Sequence, residues 1–388
     1  MPASPIRRLV PYAEAAKSSG TVVYHLNIGQ PDIATAPAFW DGIAGYREKV
    51  LSYSHSAGLA SYRQAYAQQL NQKGYGLSAD DVLISTGGSE ALVMAMMACF
   101  DPGDEILIPE PFYANYNGFA AMGGVVLRPF TTLIEENFAL PAVEDLAGAV
   151  GPKTRAIMIC NPNNPTGMVY SKDEIAALAE VLVKYPDTWI IADDIYHRMV
   201  FDGLGYHNFI QFHPQLRDRV IFVDSLSKTY GMPGWRVGFI AGPESVAKAI
   251  TTLNSNHITN IPEVVTAAAV AALTGPQDVP TEKNAEFQHK RDMVMTAMNS
   301  IPGLVCPRPQ GAFYVFPDIS CAFGKSHGGK VIGTDVDFCN ALLDAKGVAC
   351  VPGSAFGEPK SLRISYTCPS AQLPEGLKRF VDFFTELT

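Results

Sequence analysis

Paired cysteines, of the kind that form disulfides or hold metal ions, are missing from this sequence of 388 residues. Its seven cysteines include no Cys-x-x-Cys pair and their number is odd, which argues against a disulfide scaffold or a structural zinc site. Several lie within apolar runs, where a free cysteine packs as a small hydrophobic residue. We therefore predict a reduced, cytoplasmic protein without a metal site.

Long hydrophobic runs are also absent. The longest apolar stretch, residues 91–100, is far shorter than the ~20 residues that a membrane-spanning helix needs. The first ten residues contain Arg7 and Arg8, but no apolar segment follows them. We therefore predict neither a membrane span nor a signal peptide.

Positive charge is in deficit, with 29 Lys and Arg against 38 Asp and Glu and a formal net charge of −9. Nucleic acids and anionic membranes both need a basic surface, so we expect neither as a main partner. A local basic pocket for a small anion is compatible with this sum. Apolar residues make up 47% of the chain, which indicates a globular protein with a large core, of two or three domains at about 150 residues each.

Short β-rich runs alternate with helical patterns from residue 81 to residue 242. The strand candidates cover residues 82–86, 105–109, 125–129, 156–160, 189–193, 220–224 and 237–241. Most are continuous apolar runs, which are typical of strands buried on both faces of a sheet. The clearest helix begins at Ser171, where Glu174 completes a capping box. The alternation predicts an α/β fold with a mostly parallel seven-stranded sheet between helices.

The pattern changes after about residue 275. Residues 280–300 predict one long helix that ends before Pro302, and strand candidates follow at residues 312–317, 348–351 and 362–367. The glycine-rich residues 325–333 predict a surface loop. We expect a large domain over residues 41–280, a smaller α+β domain over residues 281–388, and an N-terminal segment, residues 1–40, that packs with the small domain.

Candidate functional residues follow the strands, because ligands of open α/β sheets bind beyond the carboxyl ends of the strands. Residues 87–90, Gly-Gly-Ser-Glu, open a helix after the first strand. Such a turn suits a phosphate, although glycine-rich turns also occur for geometric reasons alone. A rigid turn with Asn161, Asn163 and Asn164 follows residues 156–160, and its amides can donate to a phenolate-like oxygen or a carboxylate.

Titratable residues follow the next two strands. Asp193 ends a buried strand and is either a helix cap or a carboxylate paired with a protonated ring nitrogen, with Tyr196 nearby. Lys228 follows the strand that ends at Asp224, and desolvation would make its amine nucleophilic; an ordinary surface lysine is the alternative. Arg236 precedes a buried strand and can bind a phosphate bidentately or form a structural ion pair.

The segment from residue 225 to residue 238, SLSKTYGMPGWRVG, resembles the cofactor-lysine signature of class I/II aminotransferases, which are fold type I enzymes of pyridoxal 5'-phosphate (PLP). The similarity extends over nearly the whole chain, with the asparagine–proline turn and the Asp193-x-x-Tyr196 step in the same order. The resemblance implies an aspartate aminotransferase-like enzyme. Such an enzyme moves an amino group between an L-amino acid and a 2-oxo acid by a ping-pong mechanism.

The resemblance also implies a role for each matched residue. Lys228 would carry PLP as a Schiff base and move the substrate proton, Asp193 would pair with the pyridine nitrogen, and Tyr196 would bond the 3'-oxygen; these three are the implied catalytic residues. The implied cofactor-binding residues are Tyr53, Gly88, Ser89, Glu90, Tyr113, Asn164, Asp193, Tyr196, Ser225, Lys228 and Arg236. Arg363 would clamp the substrate α-carboxylate, with Gly29 and Asn164 beside it. Tyr53 would reach the phosphate in a neighbouring subunit, which implies a homodimer with shared active sites.

The residue that recognises the distal end of the substrate is left open, so aspartate, aromatic and broad specificity all fit the sequence. The polar candidates are Arg7, Arg8, His207, Asn256 and His257, and for each of them a solvated surface position is an equal alternative. Phe313 and Phe356 would suit aromatic or aliphatic substrates, or belong to the core.

Two other functions remain open at this point. A β-lyase, a racemase or a decarboxylase would use the same cofactor residues, because PLP stabilises the same carbanion in each reaction. A non-enzymatic effector-binding module is disfavoured, because no helix-turn-helix segment precedes residue 25 and the chain is acidic.

Overall fold

The computed structural model describes Ile6 and residues 10–388. In this part of the chain the strands are β1 (Tyr24–His25), β2 (Val82–Ser85), β3 (Glu105–Glu110), β4 (Val126–Thr131), β5 (Thr154–Cys160), β6 (Trp189–Asp193), β7 (Val220–Ser225), β8 (Gly238–Ala241), β9 (Tyr314–Val315), β10 (Ser326–His327), β11 (Lys330–Val331), β12 (Val348–Ala349), β13 (Val351–Pro352) and β14 (Leu362–Ser365). The α-helices are α1 (Val10–Ser18), α2 (Pro37–Gly45), α3 (Ala60–Asn71), α4 (Gly87–Cys99), α5 (Tyr116–Gly123), α6 (Val143–Ala149), α7 (Lys172–Val183), α8 (Leu226–Thr229), α9 (Glu244–Ser255), α10 (Glu263–Thr274), α11 (Asp278–Asn299), α12 (Asp335–Lys346) and α13 (Leu373–Thr385).

A seven-stranded sheet in the order β2-β8-β7-β6-β5-β3-β4 forms the centre of the molecule. Strand β8 runs antiparallel to both of its neighbours, and the other pairs are parallel. Each of the seven predicted strands corresponds to one of these strands with ends that differ by at most two residues. The predicted α/β architecture is therefore confirmed.

Burial along the strands follows their place in the sheet. Strands β2, β6, β7 and β8 lie inside the sheet or beneath helices and are almost fully buried. Strand β4 differs from these strands, because none of its residues is fully buried and Val126 is half exposed. Strands β2 and β4 are the two edge strands of the sheet, but only the side chains of β4 are largely left in contact with solvent.

The helix predicted after Ser171 is α7, and its capping box is present. The Ser171 hydroxyl accepts from the Glu174 N–H, and the Glu174 carboxylate accepts from the Ser171 N–H. Two backbone donors at the helix start are thereby satisfied. The same carboxyl group also accepts from the Leu140 N–H, which ties the helix to the preceding segment.

The C-terminal part of the chain forms a second, smaller layer. A three-stranded antiparallel sheet, β13-β14-β9, packs with α11, α12 and α13 around its own apolar core. The loop predicted over residues 325–333 is wrong in part, because β10 and β11 pair as a short hairpin there. The adjacent residues Gly328 and Gly329, both with positive φ, form the tight turn that joins the two strands.

Strand β1 pairs in parallel with β12, so the N-terminal residues near Tyr24 lie against the smaller layer. The predicted N-terminal segment and the division at residues 40 and 280 stay predictions. Among the described residues, no helix has both the length and the apolar character needed to cross a bilayer.

Candidate active site

A cavity of about 510 Å³ lies where β5 and β6 end, between the central sheet and the smaller layer. Ligand cavities of small-molecule enzymes have this size. Its lining residues are Ile6, Gly29, Gly88, Ser89, Leu92, Tyr113, Asn115, Tyr116, Phe119, Cys160, Asn164, Asp193, Ile195, Tyr196, Ser227, Lys228, Pro233, Arg236, Tyr314 and Arg363.

Lys228 reaches this cavity from α8, the short helix that begins directly after β7. Its Nζ donates to the carbonyl oxygen of Gly29 at 2.7 Å. Burial lowers the pKa of Lys228 to about 8, and the positive charge of Arg363 acts in the same direction. A larger fraction of neutral amine follows, and a neutral amine is the form that attacks an aldehyde.

Asp193 ends β6 and is 5% exposed. Its Oδ2 accepts from the Tyr116 hydroxyl at 2.6 Å, and its Oδ1 accepts from the Ile195 N–H at 3.4 Å. Burial raises the pKa of Asp193 to about 6, while these two hydrogen bonds lower it. Among the described residues no side-chain cation forms a salt bridge with this carboxylate, and the charge of Lys228 lowers its pKa only as a minor contribution; a protonated ring nitrogen could therefore pair with it.

Arg363 lies in β14 and is 2% exposed. Its Nη1 donates to Asn164 Oδ1 at 3.0 Å and its Nη2 donates to the Asn27 carbonyl at 2.9 Å. Its Nε has no hydrogen-bond partner in the described part of the chain. A buried guanidinium with an open donor at a cavity wall is suited to an incoming carboxylate.

Three consecutive backbone carbonyls, at residues 27, 28 and 29, hold side chains from three different places in the chain. Asn27 accepts from Arg363, Ile28 accepts from the Thr367 hydroxyl at 2.6 Å, and Gly29 accepts from Lys228. A Cβ atom at Gly29 would collide with the Tyr314 hydroxyl. Glycine is therefore required at this close approach.

A cradle of backbone N–H groups lies at the start of α4. Gly87 has φ +77, and a Cβ there would lie 2.8 Å from Arg236 Nη2. Arg236 donates through the same Nη2 to the Thr86 carbonyl at 3.0 Å, and the buried Thr86 hydroxyl has no partner in the described structure. An arginine, an orphaned hydroxyl and a helix N-terminus together fit a phosphate group.

Tyrosines form the remaining wall. Tyr196 and Tyr314 share a hydrogen bond of 2.9 Å between their hydroxyl oxygens. The Tyr113 hydroxyl accepts from Asn115 Nδ2 at 2.8 Å, and its ring meets that of Tyr116 edge-on at 5.3 Å. The wall thus presents two hydroxyl groups and an aromatic ring to a planar ligand.

Most of the predicted site residues come together in this cavity. Those among its lining are Gly29, Gly88, Ser89, Tyr113, Asn164, Asp193, Tyr196, Lys228, Arg236 and Arg363. Ser225, Glu90 and Tyr53 are not among them. The Ser225 hydroxyl caps the Ser227 N–H, the Glu90 carboxylate accepts from the Thr86 N–H, and Tyr53 is 94% exposed.

Sequence reasoning missed Tyr116, Ser227 and Tyr314. Ser227 directly precedes Lys228 in the sequence, so its position next to the lysine could have marked it as a site residue. The two tyrosines come from distant parts of the chain, where no local pattern marks them.

Among the candidates for the distal end of the substrate, Arg7 and Arg8 lie outside the described residues. His207, Asn256 and His257 are not among the lining residues. Phe313 and Phe356 are both buried; the Phe356 ring lies 5.0 Å from the Arg363 guanidinium, and the Phe313 ring lies 5.8 Å from Lys228 Nζ.

Comparisons with known proteins agree with this geometry. Residues 21–380 match the family described as aminotransferase class I and II. The chain is 36% identical to a probable aspartate/prephenate aminotransferase of Rhizobium leguminosarum bv. phaseoli, over 96% of this chain and 93% of that protein. It is 37% identical to an aspartate aminotransferase of Rhizobium meliloti (strain 1021), over 97% of this chain and 92% of that protein.

Solved structures give the same result. The crystal structure of the aspartate aminotransferase from Rhizobium meliloti superposes with a TM-score of 0.94 at 34% identity and covers 100% of both chains. The aspartate aminotransferase from Thermus thermophilus with maleate superposes with a TM-score of 0.88 at 28% identity, over 98% of this chain and 97% of that chain. The chain belongs to the class I and II aminotransferase family and is a transaminase.

Proposed function

We propose that this transaminase uses PLP bound to Lys228 and transfers the amino group of L-aspartate to a 2-oxo acid. The observation that carries the proposal is the placement of one amine, one carboxylate and one guanidinium around a single cavity, those of Lys228, Asp193 and Arg363. The relatives named above as aspartate aminotransferases support aspartate as the donor. Their shared activity also favours amino transfer over elimination, racemisation or decarboxylation.

The residues present fit PLP at both of its ends. At one end, a Cβ at Gly87 would fill the space beside Arg236, and the Thr86 hydroxyl is left without a partner. At the other end, burial raises the pKa of Asp193, because an ionised carboxylate is costly to bury without a cation beside it. Glu90 and Ser225 would act on the phosphate end through the backbone that they hold in place.

PLP supplies an aldehyde that condenses with amines and a ring that accepts the electrons released when the substrate α-proton leaves. Lys228 would hold the aldehyde carbon through Nζ, with loss of water, until the substrate amine replaces it, and the freed Nζ would then accept the α-proton. Asp193 would keep a proton on the ring nitrogen, and Asn164 and Tyr196 would donate to the ring oxygen. Tyr113 would hold the ring plane, and Arg363 would orient the α-carboxylate beside Gly29.

The described lining contains three cations, Lys228, Arg236 and Arg363, and each already has a role in this scheme. The distal carboxylate of aspartate would therefore be met by residues outside this set, either from the N-terminal segment or from a second subunit. Specificity for aromatic donors is the alternative outcome of a donor screen.

We also propose a homodimer with shared active sites. Tyr53 is 94% exposed, and Val50 and Leu51 beside it are 72% and 71% exposed. An exposed apolar patch of this kind is typical of an interface. Tyr53 of one subunit would then reach the phosphate in the other. The seven free cysteines support a reducing, cytoplasmic location for this assembly.

Two experiments test the function. In the first, purified protein is loaded with PLP and reduced with borohydride, and peptide mapping should find the label on Lys228. Lys228→Ala should lose both the label and the turnover of L-aspartate with 2-oxoglutarate. A label on another residue, or full turnover by the variant, would refute the assignment.

In the second experiment, Lys228→Ala and Tyr53→Ala proteins are mixed, dissociated and reassociated. A hybrid dimer has one site with an intact lysine and an intact neighbouring tyrosine, so activity should rise above that of either variant alone. A monomeric protein by light scattering, or no gain on mixing, would rule out shared sites.

A further inference from the structure

A second buried carboxylate, that of Asp224, lies directly before the lysine-bearing turn. Along β7, Phe222 contacts the apolar core on one face of the sheet and Val223 contacts the core on the other. Because side chains alternate along a strand, Asp224 faces the Phe222 side, away from the cavity. The proposed function gives this residue no role.

The carboxylate of Asp224 is fully engaged. Its Oδ2 accepts from the Tyr66 hydroxyl at 3.0 Å and lies 3.1 Å from His197 Nδ1. The same Nδ1 lies 2.7 Å from the Asp194 carbonyl oxygen. Since both neighbours of Nδ1 are acceptors, this nitrogen carries a hydrogen and donates to them. Tyr66 and His197 therefore fix Asp224 from two separate elements.

The second carboxylate oxygen holds the backbone of the next residue. Oδ1 of Asp224 accepts from the Ser225 N–H at 2.6 Å. The neighbouring strand does not supply this acceptor, because the Asp194 carbonyl already accepts from the N–H and the ring of His197. A buried N–H at the end of a strand needs a partner, and here a side-chain carboxylate provides it.

Ser225 transmits this constraint to the cavity. Its hydroxyl accepts from the Ser227 N–H at 3.2 Å and caps α8. Ser227 and Lys228 lie in that helix, and both line the cavity. The chain of contacts thus runs from Tyr66 and His197 through Asp224 to the turn at residues 225–228.

We propose that Asp224 is a positioning residue, whose carboxylate fixes the turn at residues 225–228 so that it can hold the phosphate of PLP. The inference rests on the proposed PLP function. It adds Tyr66 and His197 to the groups on which phosphate binding depends, although neither lines the cavity.

The variant Asp224→Asn keeps the shape of the side chain and removes its charge. The measurement is the dissociation constant of the apoprotein for PLP and for pyridoxal, which lacks the phosphate. We expect the affinity for PLP to fall roughly tenfold, because a hydrogen bond to a charged group is weakened, while the affinity for pyridoxal stays within about twofold. The ratio of the two constants separates a phosphate effect from general damage to the fold.

Asp194→Asn is the matched control. Asp194 has the same 5% exposure as Asp224, but its carboxylate accepts from the Tyr75 hydroxyl, and among the described hydrogen bonds the Ser225 N–H donates to Asp224 instead. Its ratio of PLP to pyridoxal affinity should equal that of the unchanged protein. Equal losses of both ligands in Asp224→Asn, or the same change of ratio in Asp194→Asn, would overturn the inference.

If Asp224→Asn does not fold, Tyr66→Phe decides the question, since it leaves the carboxylate and removes one of its donors. A smaller fall in the same ratio is expected, and an unchanged ratio would overturn the inference. Failure of the unchanged protein to bind PLP at all would refute the proposed function itself, so the two failures are distinguishable.

Discussion

Removal of the Tyr116 hydroxyl should weaken cofactor binding through its effect on Asp193. The hydroxyl donates to Asp193 Oδ2 at 2.6 Å, and both side chains are buried. A hydrogen bond to a charged group contributes about 1.5–3 kcal/mol. Since about 1.4 kcal/mol corresponds to a factor of ten, Tyr116→Phe should raise the dissociation constant for PLP roughly 10- to 100-fold.

The physical reason is the ionisation of the carboxyl group. Burial raises the pKa of Asp193 to about 6, and the hydrogen bond from Tyr116 lowers it. Loss of that hydrogen bond should therefore raise the pKa of Asp193 further. A carboxyl group that holds its own proton more tightly pairs less well with a protonated ring nitrogen. The weakening should therefore be greatest at the acid end of the pH range and shrink as the pH rises.

The assay is a titration of the apoprotein with PLP, followed by absorbance in the visible range. Tyr62→Phe is the control, because the buried Tyr62 hydroxyl has no hydrogen-bond partner in the described structure; it should change the dissociation constant by less than about twofold. If folded Tyr116→Phe bound PLP as tightly as the control, the reasoning about Asp193 would be wrong.

Three further predictions concern other parts of the cavity. Arg363→Ala should raise KM roughly 100-fold for every amino acid tested, since charged hydrogen bonds to the common α-carboxylate are lost; an effect on one substrate alone would contradict the clamp. Gly29→Ala places a methyl group against the Tyr314 hydroxyl and should lower kcat/KM roughly tenfold, and Tyr314→Phe in the same chain should restore part of the loss. A double variant no better than Gly29→Ala would show that the collision is not the cause. Burial lowers the pKa of Lys228 to about 8, so the fraction of neutral amine, and with it the rate of PLP capture, should rise as the pH rises through that value. Stopped-flow rates that stay flat over this pH range would refute the prediction.

The fold could be predicted where burial leaves a continuous signal. Strand β6 is apolar up to its last residue, Asp193, and its predicted and observed ends coincide, because both of its faces lie in the core. Strand β4 has polar and apolar residues without a clear period, because none of its residues is fully buried. The hairpin of β10 and β11 was not predicted, because each strand has only two residues and the two glycines between them give the sequence the pattern of a loop.

The sequence predicts those site residues that lie at, or shortly after, the carboxyl end of a strand. Asp193 ends β6 and Lys228 follows β7, and the sheet brings both residues to one cavity. Tyr314 could not be found, because its contact with Tyr196 depends on how the smaller layer packs against the sheet. The carbonyl of Asn27 offered no signal either, since every residue carries a carbonyl and only the fold selects one.

The three adjacent carbonyls at residues 27–29 place a constraint on chain length rather than on side-chain identity. Ile28 is 46% exposed, so many residues could replace it while its carbonyl still accepts from Thr367. Inserting or deleting one residue here would shift the acceptors of Arg363 and Lys228 together, by about 3.3 Å in an extended chain. One insertion or deletion would then misplace both Arg363, which would anchor the substrate, and the amine of Lys228. Point substitutions in the same stretch would be tolerated at Ile28 and not at Gly29.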